Sequence, residues 1–481
     1  MTRRAGANLY ALFAAAAEGA GETPVFVERG EVRLRYSELD DAVAGWAAAL
    51  ARRGARPGDR ILVQAEKSVE SALLYLASLR AGLVYVPLNT AYTPVEVGTF
   101  IADAEPAIVV ADGHLSLGDF APEPAAFETV PRGPDDLAAI LYTSGTTGRS
   151  KGAMLSHDNL ASNALVLKQA WRWQAGDVLI HALPIYHVHG LFVALHGALT
   201  NGSTMLWHKG FDADAAIADM ARATIMMGVP TYYVRLAAHP GLTRAAAAGM
   251  RLFVSGSAPL LAATFADFEA KTGHRILERY GMTEAGMICS NPYEGERIPG
   301  TVGFALPGIA ARVADEAGRE VARGAPGVLE IRGPNLFKGY WRQPEKTAED
   351  MRADGFFITG DIATMARDGR VAIVGRARDL IIAGGLNIYP REIELVLDAL
   401  PGVAESAVIG VPHADLGEAA VAVVVRADPG LDEGALLAAL SDLARFKQPR
   451  RILFADALPR NAMGKVQKAT LRAAHRDLFG A

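Results

Sequence analysis

"RILVQAEKSVESALLYLASLRAGLVYVPL", Arg60–Leu88, is the stretch that decides the fold class. Its two ends, RILVQA and VYVPL, are short apolar runs that read as buried strands. Between them SVESALLYLASLRAG reads as a helix that stops at Gly82. Strand, helix, strand in this order is the unit of a parallel sheet covered by helices. Upstream, YSELDDAVAGWAAALARRG puts Leu39, Val43, Trp46, Ala47 and Leu50 on one helical face. Ser37 and Asp40 read there as a capping box, and Gly54 as the terminator. Downstream the alternation continues through AIVVAD, LAAILYTS, DVLIHAL, GSTMLW and RLFVSGSAPL.

The texture changes from about Val302. VGFALPGIAARVADEAGREVARGAPGVLEIRG is short strands broken by Gly and Pro turns, the pattern of a small antiparallel β subdomain. A third texture begins near Asp379, where strands and a helix mix as in a compact α+β unit. The expected fold is therefore α/β. It has a large N-terminal domain of helix-covered, mostly parallel sheets with a small antiparallel subdomain, then a small α+β C-terminal domain. There is no repeat and no low-complexity linker, so the last boundary reads as a tight hinge.

Composition narrows the function classes. The 481 residues are 51% hydrophobic and 21% charged, which is globular, and the length calls for at least two domains. A net charge of −5 leaves no broad basic footprint for nucleic acid. A single cysteine, Cys289, rules out an intramolecular disulfide and a thiolate metal cluster, and reads as a small core residue. Arg3 and Arg4 followed by an apolar run imitate a signal peptide, but Leu9, Leu12 and Phe13 sit at helical spacing and Glu18 follows at once. No run approaches the ~20 apolar residues of a membrane span. A cytoplasmic protein is the expectation.

Chemistry concentrates in five places. In ILYTSGTTGRSKGAMLSHDNL, Ile140–Leu160, Thr143, Ser144, Thr146 and Thr147 supply hydroxyls, and Lys151 supplies a charge. Gly145, Gly148 and Gly152 let the backbone turn its N–H groups toward an anion, and Ser156 reads as the cap of the following helix. This is a phosphate loop without the G-K-[ST] of nucleotide hydrolases. RYGMTEAG offers Tyr280 to a base, and Thr283 and Glu284 to a phosphate and a hard cation. FFITGDIA places Asp361 in a turn after a strand, where a carboxylate suits a ribose diol. GRARDLIIAGGLNIYPREIE and LPRNAMGKVQK, with Lys465, complete the set.

In this order and spacing the five segments resemble the adenylate-forming superfamily of acyl-CoA synthetases, luciferases and peptide-synthetase adenylation domains, over essentially the whole chain. The resemblance implies a two-step ligase using ATP, Mg²⁺ and coenzyme A. A carboxylate attacks the α-phosphate, giving an acyl-adenylate and pyrophosphate, and the CoA thiol then displaces AMP. It implies that the Ser144–Lys151 loop holds the β- and γ-phosphates and that Thr283 touches the α-phosphate. Thr147 and Glu284 would hold Mg²⁺, Tyr280 would pack on adenine, and Asp361 and Arg376 would take the ribose. Lys465 would bridge the carboxylate and α-phosphate in the transition state. It also implies a rotation of the C-terminal domain between the two steps. The pivot falls at Arg378, where many relatives have Asp or Lys, and divides the chain into 1–377 and a mobile 378–481. Gly385, in the Gly384–Gly385 pair, would border the pantetheine arm.

For the acid, HALPIYHVHGLF, GVPTYYVRL, RLFVSGSAPLL and ERYGMTEAGM are similar to the malonyl-CoA synthetases within that superfamily. An arginine facing a closed pocket is costly unless an anion pairs with it. Arg235 therefore reads as the receptor of a second carboxylate through a bidentate pair. His187, His189, Ser257 and Met287 join it in the expected acid pocket. His187 reads as a gate rather than one of a metal pair. After YGMTE the family's expected Thr- and Asn-rich run is replaced by AGMICSN, so Ala285 and Ile288 leave malonate and methylmalonate both open. The other readings are a ligase for another short acid, a stand-alone adenylation enzyme loading a carrier protein, a non-catalytic adenylate sensor and a nucleotide hydrolase. Lys465 in a Gly-flanked loop is also the expected target of a lysine acetyltransferase. Oligomeric state is left open.

Overall fold

The computed structural model describes residues 8–143, 150–384, 386–461 and 464–480. The expectations placed on Ser144, Gly145, Thr146, Thr147, Gly148 and Gly385 lie outside those residues. Arg60–Leu88 folds as its pattern requires. Strands Arg60–Val63 and Val84–Pro87 pair in parallel, with Ile61 opposite Tyr85. The helix Val69–Arg80 connects them, and its Ser68 N-cap accepts the Ser71 N–H. Every residue of this helix except Glu70 is buried, as suits a mostly apolar helix enclosed in the domain. The sheet runs Ile108–Val110, Arg60–Val63, Val84–Pro87, Leu137–Thr143, Lys151–Ser156, and only the last pairing is antiparallel.

One local expectation is corrected. The helix Tyr36–Arg52 starts one residue early, so Ser37 lies inside it, and the box is made by Glu38 accepting the Arg35 N–H. Asp40 is taken instead by a long-range ion pair with Arg80 at 2.9 Å.

The nine-stranded sheet carries the rest of the large domain. Strands Leu277–Met282, Leu252–Ser255, Ile225–Gly228, Val178–His181, Thr204–Trp207 and Pro24–Glu28 are parallel neighbours in that order. Their carboxyl ends bring His181, Gly228 and Ser255 to one edge, where open α/β sheets bind ligands. Beyond Leu277–Met282 the chain turns back as Gly286–Ser290, antiparallel. The expected antiparallel subdomain is present as Ala310–Ala314, Gly327–Arg332, Phe357–Met365 and Val371–Arg376.

The last sheet pairs Leu386–Ile388, Ile381–Ala383, Gly417–Arg426 and Val403–His413, with Arg451–Ala455 beside Gly417–Arg426. Its apolar cores contain only residues from Ile381 onward, and the cores of the larger part end at Val371. The two parts meet nonetheless. Helix Pro390–Asp398 lies against strand Val371–Arg376. At Gly464 an added Cβ would sit 3.6 Å from Thr231 Oγ1, on the helix Pro230–Ala238. No helix of the described residues is long and apolar enough to cross a membrane.

Candidate active site

Asp361 is 1% exposed and sits within the strand Phe357–Met365, not in a turn after it. Its register partner is Arg376 on the adjacent strand. Arg376 Nε lies 2.6 Å from Asp361 Oδ1, and the Tyr280 hydroxyl donates to Oδ2. Burial raises the Asp361 pKa, while Arg376, Tyr280, Lys465 and Arg378 resist the shift. The carboxylate is thus oriented from two sides at the end of the cleft where Tyr280 also sits.

The residues flanking the expected phosphate loop depart from the expectation: they form two antiparallel strands, with Thr143 opposite Lys151, so Lys151 begins a strand and the helix starts only after Ser156. Ser156 caps that helix as expected, accepting the Asn159 N–H. Gly152 is tightly packed: a Cβ there would meet Ile140 Cγ2 at 2.8 Å and Trp341 Cβ at 3.2 Å. Lys151 is buried, and burial together with the nearby Lys346 charge lowers its pKa.

Thr283 and Glu284 occupy the tight turn between Leu277–Met282 and Gly286–Ser290. Glu284 is buried, and its Oε1 accepts the Tyr340 hydroxyl at 3.0 Å. Burial raises its pKa; Tyr340, Arg376 and Lys151 pull it back. Among the described residues no three His, Cys, Asp or Glu side chains form a metal cage. A single hard carboxylate such as Glu284 fits Mg²⁺, which takes waters and substrate oxygens as its other ligands.

Lys465 follows Gly464 in a turn closed by Asn461, whose Oδ1 accepts the Lys465 N–H at 3.0 Å. Lys465 is exposed as a residue, yet its amine lies among the charges of Arg376, Asp361, Arg279 and Glu284. Desolvation there and the Arg376 and Arg279 charges lower its pKa to about 8, against the pull of Asp361 and Glu284. It also acts on His187, whose pKa burial lowers to about 4. The structure therefore brings Lys465, Asp361, Arg376, Glu284 and His187 into one cleft.

On the acid side the structure separates two arginines. Arg235 is exposed on the helix Pro230–Ala238 and makes no ion pair among the described residues, so it does not face a closed pocket. Water solvates its charge, which removes the argument that only an anion could pay for burying it. Arg279 is the buried arginine: 3% exposed, with Nε and Nη2 unpartnered. Burial lowers its pKa to about 9. A Cβ at Gly256 would overlap its guanidinium, so the bare glycine backbone gives it room. Its charge acts on His189, which is buried and shares a 3.3 Å hydrogen bond between its Nδ1 and Ser257 Oγ. Ser257 holds φ 73°, a left-handed value costly for a non-glycine residue. Met287 packs behind Gly281, and Ala285 and Ile288 are fully buried in the main core.

Arg279 was legible as a residue of the RYGMTEAG segment, but not as buried or unpaired. Tyr340 carried no signal at all. Its place opposite Glu284 comes from the Lys338–Trp341 segment running beside the Lys151–Ser156 strand.

The model of the AMP-binding enzyme family matches residues 13–341, and that of the AMP-binding enzyme C-terminal domain matches 392–465. The chain belongs to the AMP-binding enzyme family. It is an ATP-dependent acid–CoA ligase of that family. It is 36% identical over 471 residues to a feruloyl-CoA synthase from an Amycolatopsis species, spanning 93% of this chain and 95% of the relative. It is 34% identical over 482 residues to a malonate–CoA ligase from Arabidopsis thaliana, spanning 87% and 78%. Among solved structures, ATP-bound MatB from Rhodopseudomonas palustris superposes on this ligase with a TM-score of 0.94 at 53% identity, covering 98% of this chain and all of that one.

Proposed function

We propose that this ligase activates a short dicarboxylic acid, malonate foremost, and joins it to coenzyme A with release of AMP and pyrophosphate. The observation that carries the reading is Arg279, a buried cation with two unpartnered guanidinium nitrogens beside His189 and Ser257. An unpaired buried charge is expensive, and a carboxylate from the substrate relieves that cost. The relation to a malonate–CoA ligase supports the same acid. Methylmalonate stays within the reading, because Ala285 and Ile288 replace polar residues with apolar ones after YGMTE.

In the reading, one carboxylate of the acid lies against Arg279, Ser257 and His189, with Arg235 and His187 toward the mouth. The other points to Lys465 and attacks the α-phosphate of ATP. Lys465 spans carboxylate and phosphate oxygens as negative charge gathers, an electrostatic role in a partly desolvated cleft. Tyr280 packs on adenine, Asp361 and Arg376 hold the ribose, and Thr283 touches the α-phosphate. The loop from Thr143 to Lys151 takes the β- and γ-phosphates. Mg²⁺, held by Glu284 and Thr147, would neutralise charge on the leaving pyrophosphate. The second step needs Lys465 withdrawn, by rotation of 378–481 about Arg378, with Gly385 bordering the thiol arm. The separate apolar cores on either side of that residue support the division. A cytoplasmic location, where ATP and CoA are available, and acetylation at Lys465 by a lysine acetyltransferase belong to the same reading.

The test is pyrophosphate release, with CoA, from malonate, methylmalonate, succinate, acetate, octanoate and ferulate. A preference for malonate or methylmalonate supports the reading, and a preference for ferulate moves the ligase toward its aromatic-acid relative. Release that needs a carrier protein in place of CoA would overturn it.

A further inference from the structure

The phosphate end of the cleft contains a residue with no role so far. Tyr340 is 4% exposed and lies between the two charged groups assigned to the triphosphate. Its hydroxyl donates to Glu284 Oε1 at 3.0 Å. Lys151 Nζ sits over its ring, 5.0 Å from the centroid. Both contacts are made by one side chain, so the carboxylate and the ammonium are held in a fixed relation.

The ring is itself well fixed. Phe337 packs edge-on to it, with centroids 4.8 Å apart. The Tyr340 N–H donates to Thr347 Oγ1 at 2.9 Å, tying it to the helix Pro344–Glu349. On either side the backbone is locked to the strand that begins with Lys151: Lys338 N–H donates to Met154 O at 2.8 Å, and Trp341 N–H to Gly152 O at 2.7 Å. Asp350, paired with Lys346 at 2.8 Å, faces the same hydroxyl from the end of that helix. Tyr340 is thus restrained by contacts besides those it makes to Glu284 and Lys151.

We propose that Tyr340 is a positioning residue: its hydroxyl fixes one oxygen of Glu284 so that the other meets the divalent cation, and its ring holds the Lys151 ammonium toward the same triphosphate. The inference rests on the reading of Glu284 as the cation's ligand. Cation–π contact holds Lys151 without neutralising it, which a carboxylate in the same place would do. A phenol donor likewise orients Glu284 while leaving its charge available.

The test uses the full-length ligase without acid, so that nothing turns over. Calorimetry gives the ATP dissociation constant with and without Mg²⁺, and their ratio measures the coupling between cation and nucleotide. In Tyr340→Phe the ring stays and the hydroxyl goes, so the ratio falls about tenfold, as loss of one charge-assisted hydrogen bond would give. In Tyr340→Leu the ATP affinity measured without Mg²⁺ also falls, because Lys151 loses its ring. Glu284→Gln should collapse the ratio. If Glu284→Gln collapses it and Tyr340→Phe keeps the wild-type value, the Tyr340 proposal is wrong and the Glu284 reading stands. If Glu284→Gln keeps the ratio, both fall. Should Tyr340→Leu fail to fold, Tyr340→Phe decides alone, since it removes one oxygen and keeps the packing.

Discussion

Arg376 and Asp361 are direct cross-strand partners, and the guanidinium Nε stands 2.6 Å from a carboxylate that is 1% exposed. A buried carboxylate held as an anion is costly without such a partner, and here Tyr280 supplies a second donor. The pair places an acceptor at a fixed point in the cleft. Asp361→Asn keeps the shape, exchanges one acceptor for a donor and leaves Arg376 without its counter-charge. We expect the KM for ATP to rise about tenfold or more, since a hydrogen bond to a charged group is worth ~1.5–3 kcal/mol. The KM for the acid should change little. Initial rates at varied ATP and saturating acid check this; an unchanged KM for ATP contradicts the assignment.

The lysine in the cleft sets a pH limit. Burial and neighbouring cations lower the Lys465 pKa to about 8. The surroundings favour the neutral amine, and under the proposed bridging role deprotonation removes the charge that adenylation needs. Adenylation should therefore fall as pH rises through about 8. Lys465→Ala should lower the adenylation rate ~10²–10³-fold, the effect of deleting one well-placed electrostatic donor. Lys465→Gln, which mimics acetylation, should fall with it, while thioester formation from chemically prepared acyl-adenylate is retained. Full adenylation by Lys465→Gln would refute both the bridging role and control by acetylation.

The glycine beside Arg279 is a sharper probe than the arginine itself. A Cβ at Gly256 overlaps the guanidinium, so Gly256→Ala must push Arg279 aside. Malonate kcat/KM should drop by about tenfold or more while acetate is nearly unaffected, as a shifted carboxylate receptor implies. Arg235→Ala, at an exposed position, should cost malonate less than Gly256→Ala. Equal losses for malonate and acetate would show that Gly256 only supports the fold.

Burial also raises the Glu278 pKa from 4.5 to about 7. The folded chain prefers this group protonated. Its favourable contribution is complete below pH 4.5 and is lost as pH rises through about 7, a swing of about 3 kcal/mol. Glu278→Gln keeps an acceptor for the Leu260 N–H, which Oε1 takes at 3.1 Å. The variant should melt above the wild type at pH 8 and lose that advantage near pH 5. Thermal melts at the two pH values decide; the opposite ordering would mean that the carboxylate is stabilised as an anion.

What the sequence revealed followed the reach of each signal. Periodicity and turn residues are local, so Arg60–Leu88 and the change of texture near Val302 were legible. The same holds for Ser156, whose cap is made three residues away. The five motifs placed Lys465, Glu284, Asp361 and Arg376, which the fold brings into one cleft. Burial is a property of the packed chain, and there sequence reasoning failed. It read Arg235 as enclosed, whereas Arg235 is exposed on its helix and Arg279 is buried on a strand with neighbours on both sides; as letters the two read alike. It also placed Lys151 on a loop, because the antiparallel partner of Leu137–Thr143 is as short as the loop itself. Tyr340 is set by pairing between distant segments and left no local trace.

The central claim, a ligase whose buried arginine selects a second carboxylate, is tested most directly by one comparison. It is the ratio of kcat/KM for malonate over acetate, from pyrophosphate release with CoA, in the wild type and in Arg279→Met. The account predicts a wild-type ratio of ~10³–10⁴, typical of a site built for a polar group, and its collapse in the variant through loss of malonate activity. A ratio near one in the wild type, or one that survives Arg279→Met, would contradict it.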